Sequence, residues 1–244
     1  MQSKHNHHNA AAHIARKSVL LLAGVAMLGL VQSAAAQDAT PGAAAAPAAP
    51  ATTATAVPAA QGTVDVAKLM APGELPDVVI GNPDAPVTIV EYASMTCSHC
   101  ADFAVNTLPT IKKDYIDTGK AKLILREFPF DPRAVAAFML ARCAPDDRRT
   151  AMVEVLFHQQ DQWARAQNAS EALLGIAKLA GFTQESFVAC LNDKALQQKV
   201  VDTQKRGESE FGVSATPTFF INGAKYSGAM SAADMGAVIN SMQK

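Results

Sequence analysis

Two cysteines, Cys97 and Cys100, stand two residues apart with Ser98 and His99 between them, in the stretch VTIVEYASMTCSHCADF (87–103). If Cys97 opens a helix, its sulfur meets unpaired N–H groups and the positive end of the helix dipole, and both favour a thiolate. Cys100 is then one turn on, near enough to close a disulfide within that turn. A thiol of low pKa is released easily, so a disulfide built on it tends to oxidise others. His99 adds positive charge nearby when protonated. Three other uses compete. Half of a zinc site needs two more ligands at metal spacing, and no second CxxC or HxxxH follows. An inert disulfide closing so short a loop would stabilise little. A copper-type thiolate site would need help from His99 or a methionine. Redox exchange fits the placement best, so no metal site is assigned and no cofactor is expected.

The compartment bears on that choice. Lys4, Arg16 and Lys17 precede an apolar run, Ser18 to Val31, which ends in the small residues Ala34 to Ala36. This pattern reads as a secretory signal peptide over residues 1–36, cleaved after Ala36, and predicts a periplasmic protein. The run is shorter than the ~20 apolar residues a bilayer span needs. Cys97 is the first cysteine, so no lipid-bearing cysteine follows the cleavage point. The histidines at 5, 7, 8 and 13 fall in this leader and are not read as a metal site. The leader holds three of the 21 Lys and Arg and none of the 22 Asp and Glu. The remainder is therefore weakly acidic, at about −4, and offers no basic surface for nucleic acid. Residues 37–78 begin with an Ala/Pro/Thr tract that cannot bury enough surface to order itself, and read as a flexible tether and lead-in. Within the lead-in, TVDVAKLM (63–70) could form a short helix.

The elements that must position the pair follow from periodicity. Pro86 to Ala93 reads as a buried strand after the turn signal GNPDAP. Cys97 to Gly119 has helical spacing, with Pro109 predicting a kink. Ala121 to Phe128 reads as a second strand. Helices are expected over 133–144, 148–166, 170–180, 184–192 and 193–211. Thr216 to Gly228 reads as a hairpin with an Asn-Gly turn, and Ser231 caps a last helix to about Met242. A strand–helix–strand unit and a hairpin–helix unit can complete one sheet, which makes the helical block an insertion. Phe157, His158 and Trp163 read as one amphipathic helix, core plus polar face.

The segments VTIVEYASMTCSHC, REFPFDP, MLARC and GVSATPTFFING together resemble the DsbA-like family of bacterial disulfide oxidoreductases, from about Val79 to the C-terminus. The resemblance implies an α/β fold, a thioredoxin-like sheet over 79–130 and 212–244 with an all-helical subdomain inserted at 131–211. It implies that Cys97 is the exposed nucleophile, Cys100 the buried resolving thiol and His99 a stabiliser of the thiolate. Glu91 matches a buried acid that relays protons to Cys100. Pro217 matches a cis proline beside the disulfide, and Thr216 offers its backbone to substrate chains. Cys143 and Cys190 match a structural disulfide of one subgroup, which would contribute roughly 3–4 kcal/mol by chain entropy. The residues alone leave two separate buried thiols open. Ser98 stands where the best-known DsbA motif has proline, and Thr216 is often found in isomerase relatives. The expected activity is that of a monomeric oxidase acting on cysteine-containing exported proteins and recharged by a quinone-linked membrane partner. The alternatives are an isomerase or reductase served by a reductase partner, and a non-enzymatic metal carrier using the CxxC.

Overall fold

The computed structural model describes residues 56–243; the expected signal peptide and the tract up to residue 55 lie outside them. Five strands form one mixed sheet in the order β1-β3-β2-β4-β5. At its centre β2 (Val87–Ala93) and β3 (Ala121–Glu127) run parallel, with Val87 opposite Ala121. β4 (Thr218–Ile221) and β5 (Ala224–Ser227) form the hairpin, antiparallel to β2 on its other side. β1 (Val78–Ile80) pairs antiparallel with β3. The continuous apolar run of β2 has its cause here, because both faces of that strand are covered. Asn222 and Gly223, at φ 45° and 87°, make the tight turn between β4 and β5.

The helix after β2 departs from regular geometry. α2 (Ser98–Asp102) continues through a wide turn (Phe103–Thr107), α3 (Leu108–Ile111) and a second wide turn (Lys112–Ile116). Pro109 has no N–H to offer, and the turn before it opens so that Leu108 N–H bonds back to Phe103 O.

The insertion between β3 and β4 consists of α4 (Pro132–Cys143), a single turn (Asp146–Arg148), α5 (Arg149–His158), α6 (Gln160–Trp163), α7 (Ala169–Leu179), α8 (Gln184–Asn192) and α9 (Lys194–Phe211). The one helix expected over 148–166 is therefore broken. Gln159 leaves helical geometry (φ −103°, ψ 16°), and the buried Trp163 indole donates to Leu156 O at 2.8 Å. Phe157 is buried beside it and His158 is exposed. Phe138, Leu156, Trp163 and Phe187 share one apolar cluster with Met95 and Cys100, so the core of the insertion continues beneath the cysteine pair. The last helix, α10 (Ala232–Met242), is capped by Ser231, whose hydroxyl accepts from Asp234 N–H.

The short helix expected within 63–70 is present, and the lead-in around it is bound to the rest of the fold. Residues 61–64 pair with the outer edge of β5, through Gln61 N–H to Lys225 O and Val64 N–H to Gly223 O, each at 2.9 Å. α1 (Val66–Met70) then buries Leu69 in the core. Arg206 donates to Lys68 O and Ala71 O, Arg142 to Pro76 O, and Arg126 grips Asp77 through two bonds of 2.9 and 2.8 Å. Apolar content alone understates this segment, because arginines from β3, α4 and α9 hold its backbone and Asp77.

Candidate active site

Cys97 is the N-cap of α2, with extended backbone at φ −79°, ψ 119°. Its N–H bonds Ser94 O and its carbonyl accepts from Ala101 N–H, so strand end and helix start are tied within one turn. Cys97 is partly exposed and Cys100 is fully buried; both are free thiols. The peptide bond between Thr216 and Pro217 is cis. It brings the Thr216 carbonyl to 3.3 Å from Cys97 Sγ, which donates to it in the thiol form. Cys97, Cys100, Thr216 and Pro217 thus converge from two ends of the chain.

The surroundings separate the two thiols. Cys97 is pushed down to about 5: Cys100 donates to its sulfur, the Thr216 side chain and the backbone N–H groups of Cys100 and His99 add to this, and partial burial opposes them. The Thr216 hydroxyl is buried near the sulfur and makes no hydrogen bond, so it acts there only as a nearby dipole. Cys100 moves well above the usual cysteine range, because it shares its proton with Cys97, is desolvated, and faces the charges of Glu91 and Cys97. The His99 side chain is exposed; its backbone N–H is what reaches the sulfur.

Glu91 lies on β2, between Leu125 of β3 and Phe219 of β4, and is buried. Burial first, and the nearby Cys97 thiolate second, push its carboxyl up to about 8. It is a protonated acid at neutral pH, on the strand that ends at the cysteine pair.

Two residues of the site carried no signal that the sequence reading used. Gln160 at the start of α6 is buried, and its Nε2 donates to Met95 O at 2.8 Å and Cys97 O at 2.9 Å. Asp131 caps α4 through Arg133 and Ala134 N–H and accepts from Thr96 Oγ1 at 2.5 Å. An Asp before Pro at a helix start is an N-cap pattern, so Asp131 could have been read as a cap. Its bond to Thr96, and the role of Gln160, needed the tertiary arrangement. Cys143 and Cys190 are bonded, joining α4 to α8 with Cα atoms 6.1 Å apart. Among the described residues no group of three or more His, Cys, Asp or Glu is arranged to hold a metal ion.

An acidic thiol at a helix start, a buried thiol behind it and a cis-proline loop across from it, on a mixed sheet with flanking helices, define a thioredoxin-fold dithiol protein. The thioredoxin family profile matches residues 74–241. A protein-disulfide oxidoreductase of Rickettsia typhi is 36% identical over 151 residues, covering 61% of this chain and 56% of its own length. The chain thus spans little more than half the length of that relative. The crystal structure of Wolbachia pipientis α-DsbA1 superposes with a TM-score of 0.66 at 35% identity, covering 72% of this chain and 94% of that one. BdbD from Bacillus subtilis, in its oxidised form, has the same fold at 22% identity and a TM-score of 0.63. The chain belongs to the DsbA-like family of the thioredoxin superfamily.

Proposed function

We propose that this protein is an exported thiol:disulfide oxidoreductase that introduces disulfides into other exported proteins through Cys97 and Cys100. The observation that carries the reading is the placement of the unequal pair: Cys97 is partly exposed at the start of α2, which pushes it down to about 5, and Cys100 is fully buried behind it, which pushes it up. A stabilised Cys97 thiolate is a good leaving group, which makes its disulfide an oxidant.

In the oxidised enzyme a substrate thiolate attacks Cys97 Sγ. The bond between Cys97 and Cys100 breaks, Cys100 leaves with the electron pair, and Glu91 supplies the proton that the buried sulfur needs. The substrate is now joined to Cys97. Its second thiolate attacks its own bonded sulfur, expels the Cys97 thiolate and closes the substrate disulfide. Two electrons have passed to the pair, and a membrane partner, quinone-linked in this reading, removes them. In the oxidised enzyme Cys97 carries no proton to donate to Thr216 O, which leaves that carbonyl free to receive an N–H from an extended substrate. His99 contributes its backbone N–H to the thiolate. The export signal over 1–36, a periplasmic location and a monomeric state belong to the same reading.

The test is oxidation of a reduced two-cysteine peptide by stoichiometric amounts of the oxidised protein. Rapid formation of the peptide disulfide supports the reading, and none would overturn it. Reactivation of a scrambled substrate in mildly reducing buffer would instead make the protein an isomerase.

A further inference from the structure

We propose that Gln160 is a positioning residue for the reaction at Cys97, through which the helical insertion holds the reactive loop in its productive geometry. The inference rests on the reading of Cys97 as the nucleophile. It starts from an arrangement that packing alone does not demand. One amide nitrogen donates to the two carbonyls that bracket Thr96, those of Met95 and Cys97. The side chain is more than nine-tenths buried, at 7% exposure, so no water replaces it cheaply.

Its own position is fixed from behind. Gln160 begins α6 just after the break at Gln159, and three residues on the Trp163 indole is pinned to Leu156 O inside the core. The loop is gripped from its other side by Asp131, which holds Thr96 Oγ1 while capping α4. Residues 95–97 therefore hang between two anchors of the insertion. Their conformation decides where Cys97 Sγ sits relative to the N–H groups of His99 and Cys100 and to Thr216. The Cys97 carbonyl is also the first acceptor of α2, so Gln160 fixes the start of the helix whose N–H groups face the sulfur. The titratable and charged groups that share this environment are Cys100 and His99 on α2, Glu91 on β2, Asp131 and Arg133 at the start of α4, and Arg165 just after α6.

Gln160→Leu keeps the volume and removes both donors. The thiolate absorbance of the reduced variant should titrate about one unit higher than the parent, a tenfold loss of acidity. Its equilibrium with glutathione should shift toward the disulfide form by a similar factor. Leu173→Ala, in the same buried core but away from the loop, should lower stability and leave the titration in place. If Gln160→Leu does not fold, Gln160→Asn retains an amide one methylene too short and should move the titration in the same direction. A Gln160 variant that loses stability yet titrates like the parent would overturn the proposal. So would an equal shift in Leu173→Ala. A parent thiol that itself titrates in the ordinary cysteine range would sink the reading of Cys97, which is a separate failure.

Discussion

The molecule contains two pairs of cysteines, and only their surroundings tell them apart. Cys143 and Cys190 join the end of α4 to α8 across 47 residues of chain, with the Cys190 side of the bond buried. Cys97 and Cys100 are three residues apart and free. Around Cys97 stand backbone N–H groups, a hydroxyl and a neighbouring thiol, all of which stabilise a negative sulfur. The first pair restrains the chain; the second, in the function proposed above, exchanges with other thiols. Cysteine chemistry is set by donors and desolvation more than by the residue itself.

That contrast can be broken in graded ways. Cys97→Ala should abolish oxidation of a reduced peptide, whereas the Cys143→Ala/Cys190→Ala double variant should retain it; a peptide oxidation assay on both reads the difference directly. The double variant should instead lose roughly 3–4 kcal/mol of folding stability in urea, the entropy of the closed loop. An unchanged midpoint would mean that the bond restrains nothing. The pH dependence of the reduced protein comes next. Cys97 has a folded pKa depressed below its unfolded one, so its contribution is complete above the usual cysteine range and is lost as pH falls through about 5. Relative to Cys97→Ala, the reduced protein should therefore gain stability as pH rises from about 5 toward that range. Glu91, raised to about 8, works in the opposite direction between the usual carboxylate range and about pH 8; Cys97→Ala keeps the larger, burial part of that shift and loses the part due to the thiolate. Parallel pH–stability curves for the two would remove the basis for an acidic thiol. The smallest effect belongs to Thr216→Val, which keeps shape and removes the hydroxyl; the Cys97 titration should rise by about one unit or less. A titration that falls would reverse the role given to that hydroxyl.

Much of this was legible in the sequence where local rules act. The CxxC, the apolar run of β2, the Asn-Gly turn and the Ser231 cap each depend on a few adjacent residues. Gln184–Asn192 fell where its spacing placed it. Legibility ended where distant groups meet. Nothing near Gln160 announces that its amide reaches two carbonyls more than 60 residues earlier in the chain. β1 is three residues long and is defined by pairing with β3, so periodicity had too little to work on. The short helix of the lead-in was legible, but composition does not register arginines from elsewhere closing on the carbonyls around it. The break at Gln159 depends on a tryptophan indole taking a carbonyl, which a helical wheel does not see.

The pairing of residues 61–64 with β5 has a consequence for the company this protein keeps. An unfolded chain tends to stick wherever a sheet offers a long row of unpaired amides. Here one margin is occupied by the protein's own lead-in, and the other ends in a strand of three residues. In the function proposed above, a substrate whose own strands are still unformed meets at most a short row of free amides at either margin of the described sheet, so it is held chiefly by its sulfur and then let go.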